Sequence, residues 1–278
     1  MIGSILRPWG IMSISTFYLF ATVAKLAFSG DLRTLFSWEA FHDAWFGNFW
    51  VYMGPKSKAG AEGWVVPLLE GRVKDGKIHE DAQGPPIDGV ILEIGAGSGM
   101  WTQVLADVIK KTKATSEKSS SKIYGVEPNP ISAAALKRRV DETGLVGTYE
   151  VLPFGIQDLK DETSIGPGSV DCIITVQCLC SIPEPEKNIR LLYDYLKPGG
   201  RWYVYEHVKS EQGTVIPLIQ RLTNIPWEYL VGSCKLCRPT LRSILKVGDW
   251  DRFNVAPLSG ESWLEVIPHI AGTLTKAS

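Results

Sequence analysis

The stretch that most narrows what this chain can become is Val90-Ile91-Leu92-Glu93-Ile94-Gly95-Ala96-Gly97-Ser98-Gly99. A short apolar run ends in glycines at alternate positions, and a helical pattern follows from Met100. The run reads as a buried parallel strand. Alternate glycines let the backbone turn sharply and pass close to a ligand where any Cβ would collide. A helix starting at Gly99 or Met100 then aims free backbone N–H groups at that ligand, which is expected to be nucleotide-like. The dinucleotide pattern is G-x-G-x-x-G, whereas the spacing here is G-x-G-x-G. The plain alternative is a tight strand-to-helix turn with no ligand.

The residues downstream repeat the strand–helix alternation of an α/β domain. Trp101 to Lys111 has Val104, Leu105, Val108 and Ile109 on one helical face. Lys110 to Lys122 is rich in Lys, Ser and Thr and reads as a solvated loop. Ile123 to Glu127 is a second strand, closed by Pro128 and Pro130. Glu127 falls about thirty residues after the first glycines, where a strand-end carboxylate can accept hydrogen bonds from ribose hydroxyls. Ser132 is the expected cap of a helix over 133–143. Further strands are expected over 148–153, 170–177 and 201–208, with a helix over 186–196 and a compact turn at Lys197-Pro198-Gly199-Gly200. Helices over 214–223 and 240–246 precede two strands, 252–257 and 263–273.

The N-terminal part differs in composition. From Trp9 to Phe28 the only charge is Lys25, a run near the ~20 residues that span a bilayer core. Ser15, Thr22, Lys25 and Ser29 form one narrow polar stripe on an otherwise apolar helix. Three readings compete: a membrane helix, spanning or interfacial, a cleaved signal peptide, or a helix packed on the protein's own core. Trp38, Phe41, Trp45, Phe49 and Tyr52 share a helical face, which suits core, membrane interface or an apolar pocket. A basic turn is expected over 55–63, a short element over 64–69 and a linker over 71–88. The domains read as 1–30, an apolar membrane-associated helix; 31–86, an aromatic helical cap and linker; and 87–278, the α/β domain that carries the glycine turn.

A net charge of −1 on 278 residues leaves no global footprint for nucleic acid. The five cysteines are an odd number, and three of them lie in or just after an expected buried strand, which suggests reduced thiols facing the cytosol. Cys234-Lys-Leu-Cys237 lacks a second ligand pair, so no metal site is expected.

The glycine turn with Glu93, the acidic strand end at Glu127, Gly168-Ser169-Val170-Asp171 and Lys197-Pro198-Gly199-Gly200 together resemble class I S-adenosylmethionine-dependent methyltransferases. Leu179-Cys180-Ser181-Ile182, Tyr203-Val-Tyr-Glu206-His207-Val208 and the apolar N-terminus are similar to the UbiE-type group. They resemble in particular the membrane-anchored thiol methyltransferases of endoplasmic reticulum and lipid droplets, and fungal natural-product methyltransferases of secondary metabolism. The resemblance implies a Rossmann-like seven-stranded sheet of order 3-2-1-4-5-7-6, its last strand antiparallel, with helices on both faces and an N-terminal helical segment.

The resemblance further implies S-adenosyl-L-methionine as cofactor and a small lipophilic substrate with a thiol or hydroxyl acceptor. Glu93, Gly95, Ala96, Gly97 and Gly99 would form the floor of the cofactor site, with Glu127 and Pro128 at the ribose. Ile156, Gln157 and Asp158 would meet the adenine, where many members have an acidic residue. Gln177 and Cys178, at the end of strand four, would sit near the reacting methyl. His207 is the candidate general base, or else a structural histidine, and Gln177 is the second catalytic candidate. Glu206 alternates to the opposite face of its strand. The expected location is a cytosol-facing membrane, endoplasmic reticulum or lipid droplet, reached through the N-terminal helix. The alternative function is a non-catalytic cofactor-binding membrane scaffold. The oligomeric state stays open.

Overall fold

The computed structural model describes residues 2–115 and 121–278; residues 116–120, within the Lys/Ser/Thr-rich segment expected to be a loop, lie outside the described residues. In chain order the helices and strands are α1 (Ile2–Ser29), α2 (Leu32–Phe36), α3 (Trp38–Leu69), β1 (Val73–Lys74), β2 (Lys77–Ile78), β3 (Val90–Ile94), α4 (Thr102–Thr115), β4 (Lys122–Val126), α5 (Pro130–Glu142), β5 (Tyr149–Leu152), α6 (Leu159–Glu162), β6 (Val170–Val176), α7 (Pro185–Tyr195), β7 (Leu196–His207), α8 (Val215–Leu230), α9 (Thr240–Lys246), β8 (Trp250–Phe253), β9 (Ala256–Pro257) and β10 (His269–Lys276). A short 3-10 turn covers Ile156–Asp158.

The main sheet runs β5-β4-β3-β6-β7-β10-β8, with β9 also paired to β10. Strands β5 to β7 are parallel, and β10 is antiparallel to both β7 and β8. In order of appearance this is 3-2-1-4-5-7-6, the arrangement implied by the resemblance. β3 lies between β4 and β6, so both its neighbours are strands and its side chains are buried on both faces. That is why Val90 to Ile94 reads as a nearly continuous apolar run.

Two compact units divide the chain. One gathers Met1–Gly60, Val208–Arg238 and Gly260–Pro268; the other gathers Ala61–His207, Pro239–Ser259 and His269–Ser278. The second unit holds the sheet. Its core joins Ile91 of β3, Ile123 of β4, Leu105 of α4, Leu136 of α5 and Tyr203 of β7, with Val65 and Leu68 from the end of α3. The first unit is helical. Met12, Phe49, Trp227, Val231, Leu236 and Ile267 form one core cluster, and Leu26, Phe41 and Trp45 a second. The aromatic stripe is thus largely core: Phe41, Trp45 and Phe49 are buried, while Trp38 is exposed.

Several local expectations need correction. No turn interrupts residues 55–63; α3 runs from Trp38 to Leu69 through Pro55, Gly60 and Gly63. Burial of Ala61, Val65, Leu68 and Leu69 outweighs the poor helix propensity of those residues. Residues 110–115 extend α4 instead of starting a loop. Asn129, not Ser132, caps α5: its Oδ1 accepts the Ile131 and Ser132 N–H groups, both at 3.0 Å, with Pro130 opening the helix. The last strand begins at His269, not Trp263, immediately after a proline that has no N–H to offer a ladder.

Candidate active site

The glycine turn closes directly onto the neighbouring strand. Gly95 and Ala96 both donate their N–H to the carbonyl of Val126, at 3.0 and 3.2 Å. Gly95, Gly97 and Gly99 all have positive φ, 66°, 56° and 83°. Their missing side chains serve different ends. A Cβ on Gly95 would meet the Cys178 Cβ at 2.5 Å, and one on Gly99 would press on Leu136 and Arg139 of α5 at 3.0 Å. A Cβ on Gly97 would meet nothing closer than the Gly95 carbonyl at 4.0 Å. Two glycines therefore make room for the protein's own chain. Only Gly97 leaves a cradle that a Cβ would fill.

Glu127 follows β4 and is buried. Its Oε2 accepts the Gly97 N–H and its Oε1 the Asn129 N–H, both at 2.9 Å. The two bonds fix the carboxylate beside the turn and leave a lone pair on each oxygen for a donor from outside the chain. Burial raises its pKa, opposed by the Asn129 and Gly97 bonds. Pro128 beside it is exposed.

Glu93 is fully buried below this turn. Its Oε2 accepts the Tyr149 hydroxyl at 2.5 Å, and burial lifts its pKa to about 7. Tyr149 reaches it across β4 because residue 125 is glycine; a Cβ there would lie 2.0 Å from the Tyr149 hydroxyl. Ile156 is buried, whereas Gln157 is exposed and donates to Asp158 Oδ2 at 2.9 Å. Asp158 also accepts the Gly155 N–H at 3.2 Å, so these residues form their own turn.

At the end of β6, Gln177 has φ +52°, a conformation uncommon outside glycine, and its N–H bonds to Tyr205 O at 2.8 Å. Its side-chain nitrogen lies 3.4 Å from His269 Nε2. His269 faces His207 in the β10–β7 register, with ring centroids 6.3 Å apart, and stacks on Tyr205 at 5.3 Å. Gln177, Tyr205, His207 and His269 thus form one group. The expected alternation holds on β7: Glu206 turns to the other side, where its Oε1 accepts the N–H groups of Cys178 and Leu179 at 3.1 and 3.2 Å. Its Oε2 has no partner, and burial lifts its pKa to about 7. Burial, with Glu206 adjoining, also pushes the Cys178 thiol well above its usual range. The sequence reading missed His269 and the Tyr149–Glu93 pair, which only strand pairing brings to these places.

The two shared motifs at the opposite end of the strands have a plain structural role. Asp171 accepts the Val90 N–H at 2.8 Å and pairs with Lys197 at 2.7 Å. It ties the starts of β3, β6 and β7 together.

A parallel sheet ending in a glycine turn, with a carboxylate fixed at the next strand end, defines a nucleotide-cofactor enzyme of Rossmann-like type, and the chain belongs to the methyltransferase domain family, whose model matches residues 72–246. It is similar to the thiol S-methyltransferase TMT1B of Rattus norvegicus, 28% identical over 203 residues that cover 71% of this chain and 75% of that protein. It is also similar to TMT1A of Homo sapiens, 25% identical over 201 residues, with the same coverage of 71% and 75%. Among solved structures, the [4+2]-cyclase SpnF superposes with a TM-score of 0.51 at 16% identity, covering 77% of this chain and 80% of that one. A geranyl diphosphate methyltransferase in complex with SAM has a TM-score of 0.51 at 13% identity, covering 84% and 90%. These two likenesses concern the fold. Family membership favours an enzyme over a scaffold.

Proposed function

We propose that this chain methylates a small lipophilic molecule at a thiol or hydroxyl group, on the cytosolic face of a membrane, endoplasmic reticulum or lipid droplet. S-adenosylmethionine is the methyl donor. The observation that carries its placement is the Gly97–Glu127 pair: an open cradle beside a carboxylate with acceptor capacity to spare. Those free acceptor positions fit a ribose, which offers two hydroxyl donors.

When bound, the cofactor supplies a sulfonium-activated methyl group. Gly95, Ala96, Gly97 and Gly99 hold the floor, backed by the buried Glu93–Tyr149 pair. Glu127, followed by Pro128, would hold the ribose. Ile156, Gln157 and Asp158 would meet the adenine. Gln177 and Cys178 would lie near the methyl end, and Cys178 stays a neutral thiol because its environment opposes ionisation. His207 accepts the proton of the acceptor group. A thiol needs little of that help, since its ordinary pKa of ~8.5 lies close to neutral pH, whereas a phenol near ~10 needs more. The thiol S-methyltransferases among the relatives support a thiol as the first acceptor to try. The apolar helix α1, long enough to cross a membrane yet only 22% buried over its most apolar window, supports membrane association.

The test is calorimetric titration of S-adenosylmethionine into the wild type and Glu127→Ala, followed by mass spectrometry with labelled cofactor on a thiol and phenol panel. Tight binding to wild type, lost at least tenfold in the variant, with label transferred to a lipophilic thiol or phenol, is expected. Binding without transfer to any panel member overturns the acceptor assignment.

A further inference from the structure

Helix α8 carries an apolar stripe that nothing among the described residues covers. Val215, Leu218, Leu222, Ile225 and Tyr229 recur at spacings of three and four, and all are between 57% and 69% exposed. Scattered exposed hydrophobics are ordinary on a soluble surface, whereas a continuous stripe along one helix is not.

The same helix turns two polar residues inward. Gln220 is fully buried, accepting the Ser210 N–H at 2.8 Å and donating to the carbonyls of Val208 and Val266 at 3.1 and 2.9 Å. Thr223 is also buried. A water-facing helix has the reverse arrangement.

Helix α1, in the same unit and packed against α8, repeats this inversion. Ser15 and Thr22 are buried; Ser15 Oγ donates to Leu230 O of α8, its carbonyl accepts the Trp45 indole N–H at 2.8 Å, and Thr22 accepts the Asn48 side chain at 2.9 Å. Phe17, Phe20 and Phe28 are 66–94% exposed. Both helices share one core, with Met12 from α1 and Trp227 from α8, so their outer faces are the apolar ones. The charges fit a phospholipid surface. α1 has Arg7 and Lys25 and no acidic residue; on α8 Arg221 sits exposed beside the stripe, and the one acidic residue, Glu228, is half-buried and pairs with Lys235 at 3.8 Å. Long cationic side chains at such positions can reach headgroup phosphates while their stems stay in apolar surroundings.

We propose that α8 is a second membrane-binding element, which lies flat in the headgroup boundary of a phospholipid bilayer beside α1. It rests on the reading of α1 as membrane-associated and extends it from one helix to a two-helix face. At 16 residues α8 is shorter than the ~20 needed to cross the hydrocarbon, so its stripe dips in and does not span. A single-helix anchor leaves the α8 stripe in water; a two-helix face covers it.

The experiment is flotation of the full chain with vesicles of phosphatidylcholine and phosphatidylserine. It compares wild type, the α8 variant Leu218→Glu/Leu222→Glu/Ile225→Glu and the α1 variant Phe17→Glu/Phe20→Glu. Sedimentation reports self-association, and S-adenosylmethionine binding reports that each variant is folded. The α8 variant is expected to lose at least about ten-fold in vesicle partitioning with α1 intact, because three side chains no longer enter apolar surroundings. The milder Leu218→Ser/Leu222→Ser variant is expected to show a smaller loss in the same direction, and serves if the triple variant does not fold. Wild-type flotation that either α8 variant retains in full overturns the proposal while leaving the α1 anchor standing. So does retained flotation with reduced self-association, which makes a second copy of the chain the occupant. Failure of wild type to float overturns the anchor itself, and this proposal with it.

Discussion

Glu206→Gln tests the electrostatics at the end of β7. The wild-type carboxyl is fully buried, accepts two N–H groups at one oxygen and none at the other, and has its pKa raised from an ordinary 4.5 to about 7. Because the folded-state value is the higher, the proton binds the folded chain more tightly than the unfolded one. Below pH 4.5 both states are protonated and the group is neutral toward stability. Between 4.5 and 7 the unfolded chain sheds its proton first, so stability falls as pH rises and levels off above 7. At about 1.4 kcal/mol per pH unit, the full cost above neutrality is about 3 kcal/mol.

Glutamine keeps the acceptor oxygen for the Cys178 and Leu179 N–H groups and cannot ionise. It brings a fixed cost of about 1 kcal/mol for a buried amide N–H₂ without a partner. The variant is therefore expected to be slightly less stable than wild type at pH 5 and more stable at pH 8, with the difference moving by about 2.5 kcal/mol between them. Urea unfolding in a non-ionic detergent, followed by near-ultraviolet circular dichroism at each pH, measures it. Glu93 titrates over the same range in both proteins and cancels in the comparison. A wild-type-to-variant difference that stays constant with pH refutes the reasoning.

The glycine turn separates binding from folding. Gly97→Ala meets no side chain, so beyond the ~1 kcal/mol strain of its positive φ it is expected to keep its fold and lose at least tenfold in S-adenosylmethionine affinity by calorimetry. Gly95→Ala drives a Cβ into Cys178 and is expected to lower the unfolding midpoint more than Gly97→Ala does; equal midpoints would remove the distinction. Tyr149→Phe deletes the one hydroxyl bonded to the buried Glu93 carboxyl and is expected to destabilise by about 1–3 kcal/mol in the same urea assay, an effect below ~0.5 kcal/mol counting against that pair.

The positions of the strands along the chain were legible because each signal was local, whereas their order in the sheet was implied only by the family resemblance. The apolar run of β3, the glycines after it and the proline-bounded end of β4 each declare themselves within a few residues. Pairing across the chain was not. His269 stands beside Gln177 only because β10 returns antiparallel along β7, and Tyr149 reaches Glu93 only because β4 offers a glycine between them. The helix α3 was hidden for a different reason: its prolines and glycines argue for a turn, and only burial of its last two turns outweighs them. At the candidate site, Gly97 and Glu127 come together as their spacing suggests. The separate tasks of Gly95 and Gly99 depend on Cys178 and α5, about which the G-x-G-x-G spacing says nothing.

The outward-facing phenylalanines of α1 bear on how rates are to be counted. An enzyme held at a bilayer meets a lipophilic substrate that is dissolved in the same lipid, so the relevant concentration is moles per mole of lipid and not moles per litre. Adding empty vesicles at fixed total substrate dilutes the surface and slows turnover without changing any bulk concentration. An apparent KM in solution units then describes the amount of lipid in the tube as much as the enzyme. If Phe17, Phe20 and Phe28 hold the chain at a bilayer as proposed, its assays are comparable only at a stated lipid-to-substrate ratio.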